Sequence, residues 1–238
     1  TFSLDVGGIT PFTWTFRDRE RILDLFETLC GARLLYNYIW VGGLSHDLPK
    51  RFLDKTTEFL DYFETQIPEY NQILTGNKIF VERTADVGII TKDVALNYGV
   101  SGPNLRASGI NWDLRKNEPY SIYDRFDFDV PLGAGTMGSI GDSWDRYYVR
   151  MLEMTESIKI LRQAIGSIPD GDVNAARPKK VRPKEGEVYS RYETARGDLG
   201  IYILSKGKNM PHRLKMRSPC FCNLSVLNEI SADWMISD

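Results

Sequence analysis

Few residues in this chain are equipped for chemistry. Among 238 residues there are two histidines, His46 and His212, and three cysteines, Cys30, Cys220 and Cys222. An odd cysteine count with one closely spaced pair argues against a secreted disulfide framework and suits a reducing compartment. One residue between two thiols is poor spacing for a tetrahedral metal, and no CxxC or His-rich set exists, so no metal site within the chain is expected. The carboxylate that stands out is Asp5, in Leu4-Asp5-Val6-Gly7-Gly8-Ile9. Alone it reads as a turn or capping residue; buried, it would tune a nearby histidine by charge pairing. Nothing in the residues says which histidine.

Other motifs read as structural. Ser101 to Gly109 has neither the Lys-Ser/Thr ending of a P-loop nor the GxGxxG spacing of a dinucleotide fold, so it reads as a turn tying helices together. Asp113 with Arg115-Lys116 reads as local ion pairs. Asp142, Asp145, Arg146, Arg150, Glu153 and Glu156 recur at helical spacing and are expected on a solvated face or in interhelical pairs. Lys179, Lys180, Arg182 and Lys184 sit between prolines with no aromatic for base stacking, so a solubilising linker is expected and nucleic acid is not.

The positioning elements follow from periodicity. Thr10 as N-cap and Pro11 at the first position start a helix carrying Ile22, Leu25, Phe26, Leu29 and Cys30 on one face, and Gly31 interrupts it. Leu34 to Val41 reads as a buried aromatic run ending at Gly42-Gly43. Phe52, Phe59, Leu60, Phe63 and Ile67 form the stripe of a second helix stopped by Pro68. A third helix spans Thr91 to Tyr98 before Gly99. Residues 100–141 lose the helical period and are expected as an ordered loop region that buries its aromatics. Asp142 caps a long helix with Trp144, Tyr147, Tyr148, Met151, Ile158, Leu161 and Ile165 on its buried side. After a linker at 169–188, Leu199, Ile201 and Ile203 alternate, then Leu214 and Met216, across a turn at Gly207. The expected fold class is α+β, mostly α: a helical body over 1–168, and a small antiparallel β element with the C-terminal segment over 189–238.

Composition is ordinary, 42% hydrophobic and 26% charged, which excludes collagen, wholesale disorder and a disulfide scaffold. A formal charge of −2 provides no global field for nucleic acid or anionic lipid. No apolar stretch is long enough to span a membrane, and the start lacks the pattern of a signal peptide. With no starting Met, the sequence reads as part of a longer protein.

The motifs in order resemble one family. Leu4-Asp5-Val6-Gly7-Gly8-Ile9-Thr10-Pro11-Phe12, Arg19-Glu20, Gly31-Ala32-Arg33, Gly42-Gly43, Leu105-Arg106-Ala107-Ser108-Gly109, Trp112-Asp113-Leu114-Arg115-Lys116, Phe128-Asp129-Val130-Pro131 and Gly141-Asp142 all match. So do Arg196-Gly197, Gly200-Ile201-Tyr202 and Arg217-Ser218-Pro219. The chain is similar to the hydrogenase-like large subunit of respiratory complex I, the 49 kDa or D subunit. The resemblance implies a helical-bundle body like that of the [NiFe]-hydrogenase large subunit, and a part in reducing quinone, the substrate. It implies that this chain itself holds no cofactor. The terminal iron–sulfur cluster would sit in the adjacent small subunit, with NADH and FMN elsewhere in the complex. The 30 kDa-type subunit and membrane-arm subunits are further implied partners, with a peripheral place on the cytoplasmic side of the inner membrane.

In the family a His and a Tyr hold the quinone headgroup, and the Asp of the L-D-x-G block hydrogen-bonds that His. Here the Asp is Asp5, while the His and Tyr fall upstream of Thr1. Phe12 and Thr13 are implied near the pocket, Thr13 replacing a second Phe. Leu35 stands where many relatives carry a His beside the cluster, and Trp40 where they carry an Arg. Two other readings stay open: the large subunit of a membrane-bound [NiFe] hydrogenase, which needs two CxxC pairs, and a non-catalytic scaffold.

Overall fold

The computed structural model describes residues 2–175 and 182–235. It is 47% helix and 12% strand, so the fold is α+β and mostly α. The chain divides into two compact units, Thr1–Asn77 with Ser157–Lys179 and Lys78–Glu156 with Lys180–Asp238.

In the first unit, α1 (Phe2–Asp5) leads into α2 (Ile9–Cys30). Gly8, not Thr10, precedes the helix, and Thr10 lies inside the first turn. Pro11 is still tolerated, because backbone N–H groups in a helix's first turn have no intrahelical acceptor. Gly31 ends α2 in the left-handed region at φ 75°, its N–H returning to the Glu27 carbonyl. A two-stranded hairpin follows, β1 (Ile39–Trp40) with β2 (Gly43–Leu44), then α3 (Phe52–Tyr70). Pro68 does not stop α3; the helix runs through it into a π turn at Asn71–Thr75.

The packing of α2 on α3 buries Leu23, Leu60 and Ile67, together with one carboxylate. Asp18 is 1% exposed, and accepts hydrogen bonds from Arg17 Nε at 2.8 Å, from the Tyr62 hydroxyl at 2.7 Å and from the Tyr70 hydroxyl. Burial alone would raise its pKa; the bonds from Arg17 and the two phenols outweigh that and hold it below the ordinary value. Arg162 joins the same unit to α3 through Asp61 and Glu64, both at 2.8 Å.

The second unit holds α4 (Lys78–Glu82), α5 (Lys92–Asn97), α6 (Pro103–Ala107), α7 (Leu114–Asn117), the start of α8 (Ser143–Gly166), β3 (Gly186–Thr194), β4 (Gly197–Ser205), β5 (Arg213–Arg217), α9 (Pro219–Ser225) and α10 (Leu227–Ile230). Thr91 caps α5, its hydroxyl accepting from Val94 N at 3.3 Å. Residues 100–141 are largely irregular but include α6, α7 and a 3₁₀ turn at Tyr123–Arg125. Of their aromatics Phe128 is buried, while Trp112, Tyr120, Tyr123 and Phe126 are half-buried. Asp142 caps α8, its carboxylate taking Asp145 N at 2.8 Å. Trp144, Met151 and Ile158 are buried as expected, but Leu161 is 43% exposed and Val149 is buried instead.

The three strands form an antiparallel sheet in the order β3-β4-β5. The sheet begins at Gly186, inside the stretch read as linker, and Lys179 and Lys180 lie outside the described residues. Its turn at Gly197 meets the loop before α6 backbone to backbone: a Cβ on Gly102 would collide with the Gly197 Cα. Nearby Ile90, Ala95, Val100, Leu105 and Val226 make one core cluster.

Candidate functional site

Asp5 closes α1, and the chain reverses at once: Gly7 N returns to the Leu4 carbonyl at 3.1 Å and Gly8 N to the Ser3 carbonyl at 2.6 Å. Gly7 has φ 86°, a conformation that favours glycine, which accounts for the L-D-V-G-G spacing. The Asp5 side chain is exposed. Phe12 is half-buried in the first turns of α2, against Phe16 at 4.3 Å between ring centres. Thr13 is exposed and donates to the Thr10 carbonyl at 2.9 Å. A cavity of about 300 Å³ lies further along α2 and α3, lined by Arg21, Asp24, Leu25, Thr28, Lys55, Glu58 and Phe59; none of Asp5, Phe12 and Thr13 lines it.

The segment after α2 departs most from expectation. Arg33 folds back onto the acidic side of α2, bonding Asp24 at 2.5 Å, Glu27 at 3.1 Å and also Glu20. Leu34 to Val41 has the pattern of a buried run, yet Leu35 is 89% exposed, Ile39 81% and Val41 76%. An apolar run has the same signature whether it faces a core or a subunit interface, so the sequence pattern does not separate the two. Tyr36 packs at a tilt against Phe26, with ring centres 4.5 Å apart. The hairpin turns at Val41-Gly42, and its second strand lies on Val173 and Asn174, with Leu44 N bonding the Val173 carbonyl at 2.9 Å. A Cβ on Gly43 would collide with that carbonyl oxygen, which explains the second glycine. His46 bridges the Ser45 hydroxyl and the Leu29 carbonyl, each at 2.7 Å, tying the hairpin's far side to the end of α2.

The second unit contains a buried charge cluster that the sequence shows only in pieces. Arg106 is 1% exposed; its guanidinium meets Glu153 at 2.7 Å, Glu193 at 2.9 Å and Asp113 at 3.4 Å. Asp113 also takes a two-pronged bond from Arg115, at 2.9 and 2.6 Å. The expected ion pairing of Asp113 with Arg115 is therefore present, but inside the protein. Of the two forms expected for the charged stripe on α8, a solvated face or interhelical pairs, the second holds at Glu153, which faces Arg106 of α6; Asp142 and Asp145 are each 1% exposed rather than solvated, and Glu156 accepts from Asp129 N at 2.8 Å. Helical spacing gives the face and not its neighbour, so the pattern alone does not show that Arg106 lies opposite. Burial pushes Glu193 above the usual carboxylate range despite Arg106 beside it. Asp113 is held below its ordinary value, because the bonds from Arg115 and the charge of Arg106 outweigh burial.

Cys220 and Cys222 lie on α9 as free, half-buried thiols. Among the described residues no group of three or more His, Cys, Asp and Glu is placed to hold a metal ion, and no helix is long and apolar enough to cross a membrane.

Placed beside known proteins, the chain matches the family described as respiratory-chain NADH dehydrogenase, 49 kDa subunit, over residues 5–185 and 178–238, and it belongs to that family. It is 51% identical over 242 residues to the D subunit of the NADH-quinone oxidoreductase of Chlorobaculum tepidum, covering 100% of this chain and 60% of the relative. The corresponding D subunit of Chlorobium luteolum is also 51% identical, with 61% of it covered. The second D-type subunit of Anaeromyxobacter dehalogenans is 46% identical over 238 residues, with 63% covered. The chain thus spans about 60% of the length of these curated relatives.

Proposed function

We propose that this chain is part of the quinone-reducing subunit of a proton-translocating NADH:quinone oxidoreductase. It would pack against a small subunit that carries the terminal iron–sulfur cluster, with the 30 kDa-type and membrane-arm subunits as further neighbours, peripheral on the cytoplasmic side of the membrane. The observation that carries the reading, within this family, is the open apolar segment Leu34–Val41. A surface run this apolar needs a partner, and it includes Leu35, the position the family resemblance assigns to the cluster's vicinity.

Quinone reduction takes two electrons and two protons. The electrons would arrive from the partner's cluster, and Asp5 would relay a proton to a histidine outside these 238 residues. Its exposure leaves the carboxylate open to such a partner. Phe12 and Thr13, one turn into α2, would border the headgroup pocket.

The test is Asp5→Asn in the assembled complex. Quinone reductase activity is expected to fall about 10²-fold, the scale of a positioned proton-transfer group, with electron delivery to an acceptor that bypasses quinone unchanged. The exposure of Asp5 also favours a second reading, in which the chain only docks its neighbours; an unaltered quinone rate in that variant would select it.

A further inference from the structure

The sheet gathers two basic stretches, distant in sequence, at one end. Its register pairs Gly186 with Ser205 and Leu204 with Arg213, and the Ser205 hydroxyl donates to the Pro183 carbonyl at 3.1 Å. Arg182 and Lys184 therefore lie at the same end as Lys206, Lys208 and Arg213, with Lys215 two residues further up β5. All six are exposed. The acids of this end are Glu185 and Glu187, and Glu187 is engaged by the Tyr202 hydroxyl. From Leu199 to Asn228 there is no Asp or Glu, in a chain whose formal charge is −2. The positive charge is thus local and opposite in sign to the protein as a whole.

Apolar side chains accompany it. Met210, at the connection between β4 and β5, is 73% exposed, and Leu214 and Met216 are 47% and 63% exposed. Alternation along β5 sets Leu214 and Met216 on one face and Arg213 and Lys215 on the other.

We propose that this end of the sheet is a contact for an anionic phospholipid surface, with Met210 entering the headgroup layer. Four of the six cations are lysines. Lysine is depleted from protein interfaces, where arginine and aromatic residues are enriched, whereas clustered Lys and Arg beside exposed apolar groups suit a charged bilayer surface. No Phe, Tyr or Trp stands among Lys206 to Met216 to serve as a stacking platform for nucleic-acid bases. The proposal rests on the complex I reading only in placing the protein beside a membrane.

The test is vesicle flotation of the full-length protein with phosphatidylcholine alone and with added phosphatidylglycerol, at low and high ionic strength. Partitioning into anionic vesicles is expected to exceed that into neutral ones by about tenfold or more and to vanish at high salt. Combining Lys206→Glu, Lys208→Glu and Lys215→Glu should remove most of it, with an unchanged thermal midpoint. Equal partitioning into both vesicle types overturns the proposal, as does full binding by the triple variant. Binding to polyglutamate without binding to vesicles overturns it in favour of an acidic protein. None of these outcomes bears on quinone reduction, which the Asp5→Asn assay judges separately.

Discussion

Arg106 and Glu193 stand 87 positions apart in the sequence, yet their side chains meet at 2.9 Å with 2% and 4% of their surfaces exposed. That contact joins the short helix α6 to strand β3, and through Glu153 it reaches α8 as well. Three carboxylates, Asp113, Glu153 and Glu193, thereby share two guanidiniums, Arg106 and Arg115.

Removing the central cation strands those carboxylates in a dry interior. Arg106→Met is expected to destabilise the folded protein by about 3–5 kcal/mol, the usual consequence of breaking a buried pair from one side. Arg106→Lys should also cost stability, since an ammonium cannot reproduce the fork that reaches Glu153 and Glu193 together. Urea denaturation midpoints of the full-length variants check both.

Acid should loosen both units. Asp18 and Asp113 are held below the ordinary value of 3.8 in the folded state, so between the two values the unfolded chain binds more protons. Their stabilisation is therefore complete above 3.8 and is lost as pH falls through the lower folded values. Glu193 has the opposite sign: its raised value makes stability greatest where it is protonated, and stability declines as pH rises through that value. Asp113→Asn should flatten the acid limb of a stability–pH curve, and Glu193→Gln the opposite slope; thermal melts across pH measure both.

Tyr70→Phe removes a hydroxyl whose acceptor is the buried carboxylate of Asp18. The cost is expected at about 1.5–3 kcal/mol, the range for a hydrogen bond to a charged group. The control is Tyr98→Phe, whose exposed hydroxyl makes only a long 3.4 Å contact with Glu229 and should change little. Urea midpoints of the two variants, compared side by side, give the difference.

Gly43→Ala should disrupt the hairpin, because the new methyl collides with the Val173 carbonyl and the residue holds φ 139°. Gly76→Ala meets nothing within 4 Å and should be near neutral. Comparing amide exchange at Leu44 and Ala175 in the two variants separates a local effect from a global one.

Leu35 cannot titrate. On the proposed placement beside a partner's cluster, that cluster's midpoint potential should change with pH by much less than the roughly 59 mV per unit of a fully coupled one-electron site. Leu35→His is expected to restore part of that slope, as redox titration at several pH values would reveal.

The fold is legible in the sequence wherever a local rule decides it. Gly31 ends α2, Thr91 caps α5 and Asp142 caps α8 because each acts on backbone within a turn of itself. Pro68 has the look of a stop, but α3 runs past it to Tyr70, where a π turn takes over. Leu34–Val41 differs from its pattern, and the α8 stripe leaves open whether its charges are solvated or paired, because burial depends on what faces a residue, which spacing along one segment does not encode. For the site, the L-D-V-G-G block is visible in the sequence, and the geometry explains its first glycine, Gly7. Glu193 carries no such signal, since its carboxylate meets Arg106 of α6 and Leu114 N of α7, both far from it in sequence.

The meeting of Gly102 with Gly197 constrains more than local geometry. Each position has already given up every atom that substitution could trim, so a methyl group gained on one side cannot be answered by shrinking the other. Relatives that keep this join are bound to hold both positions jointly, and divergence there would have to proceed by re-routing a loop.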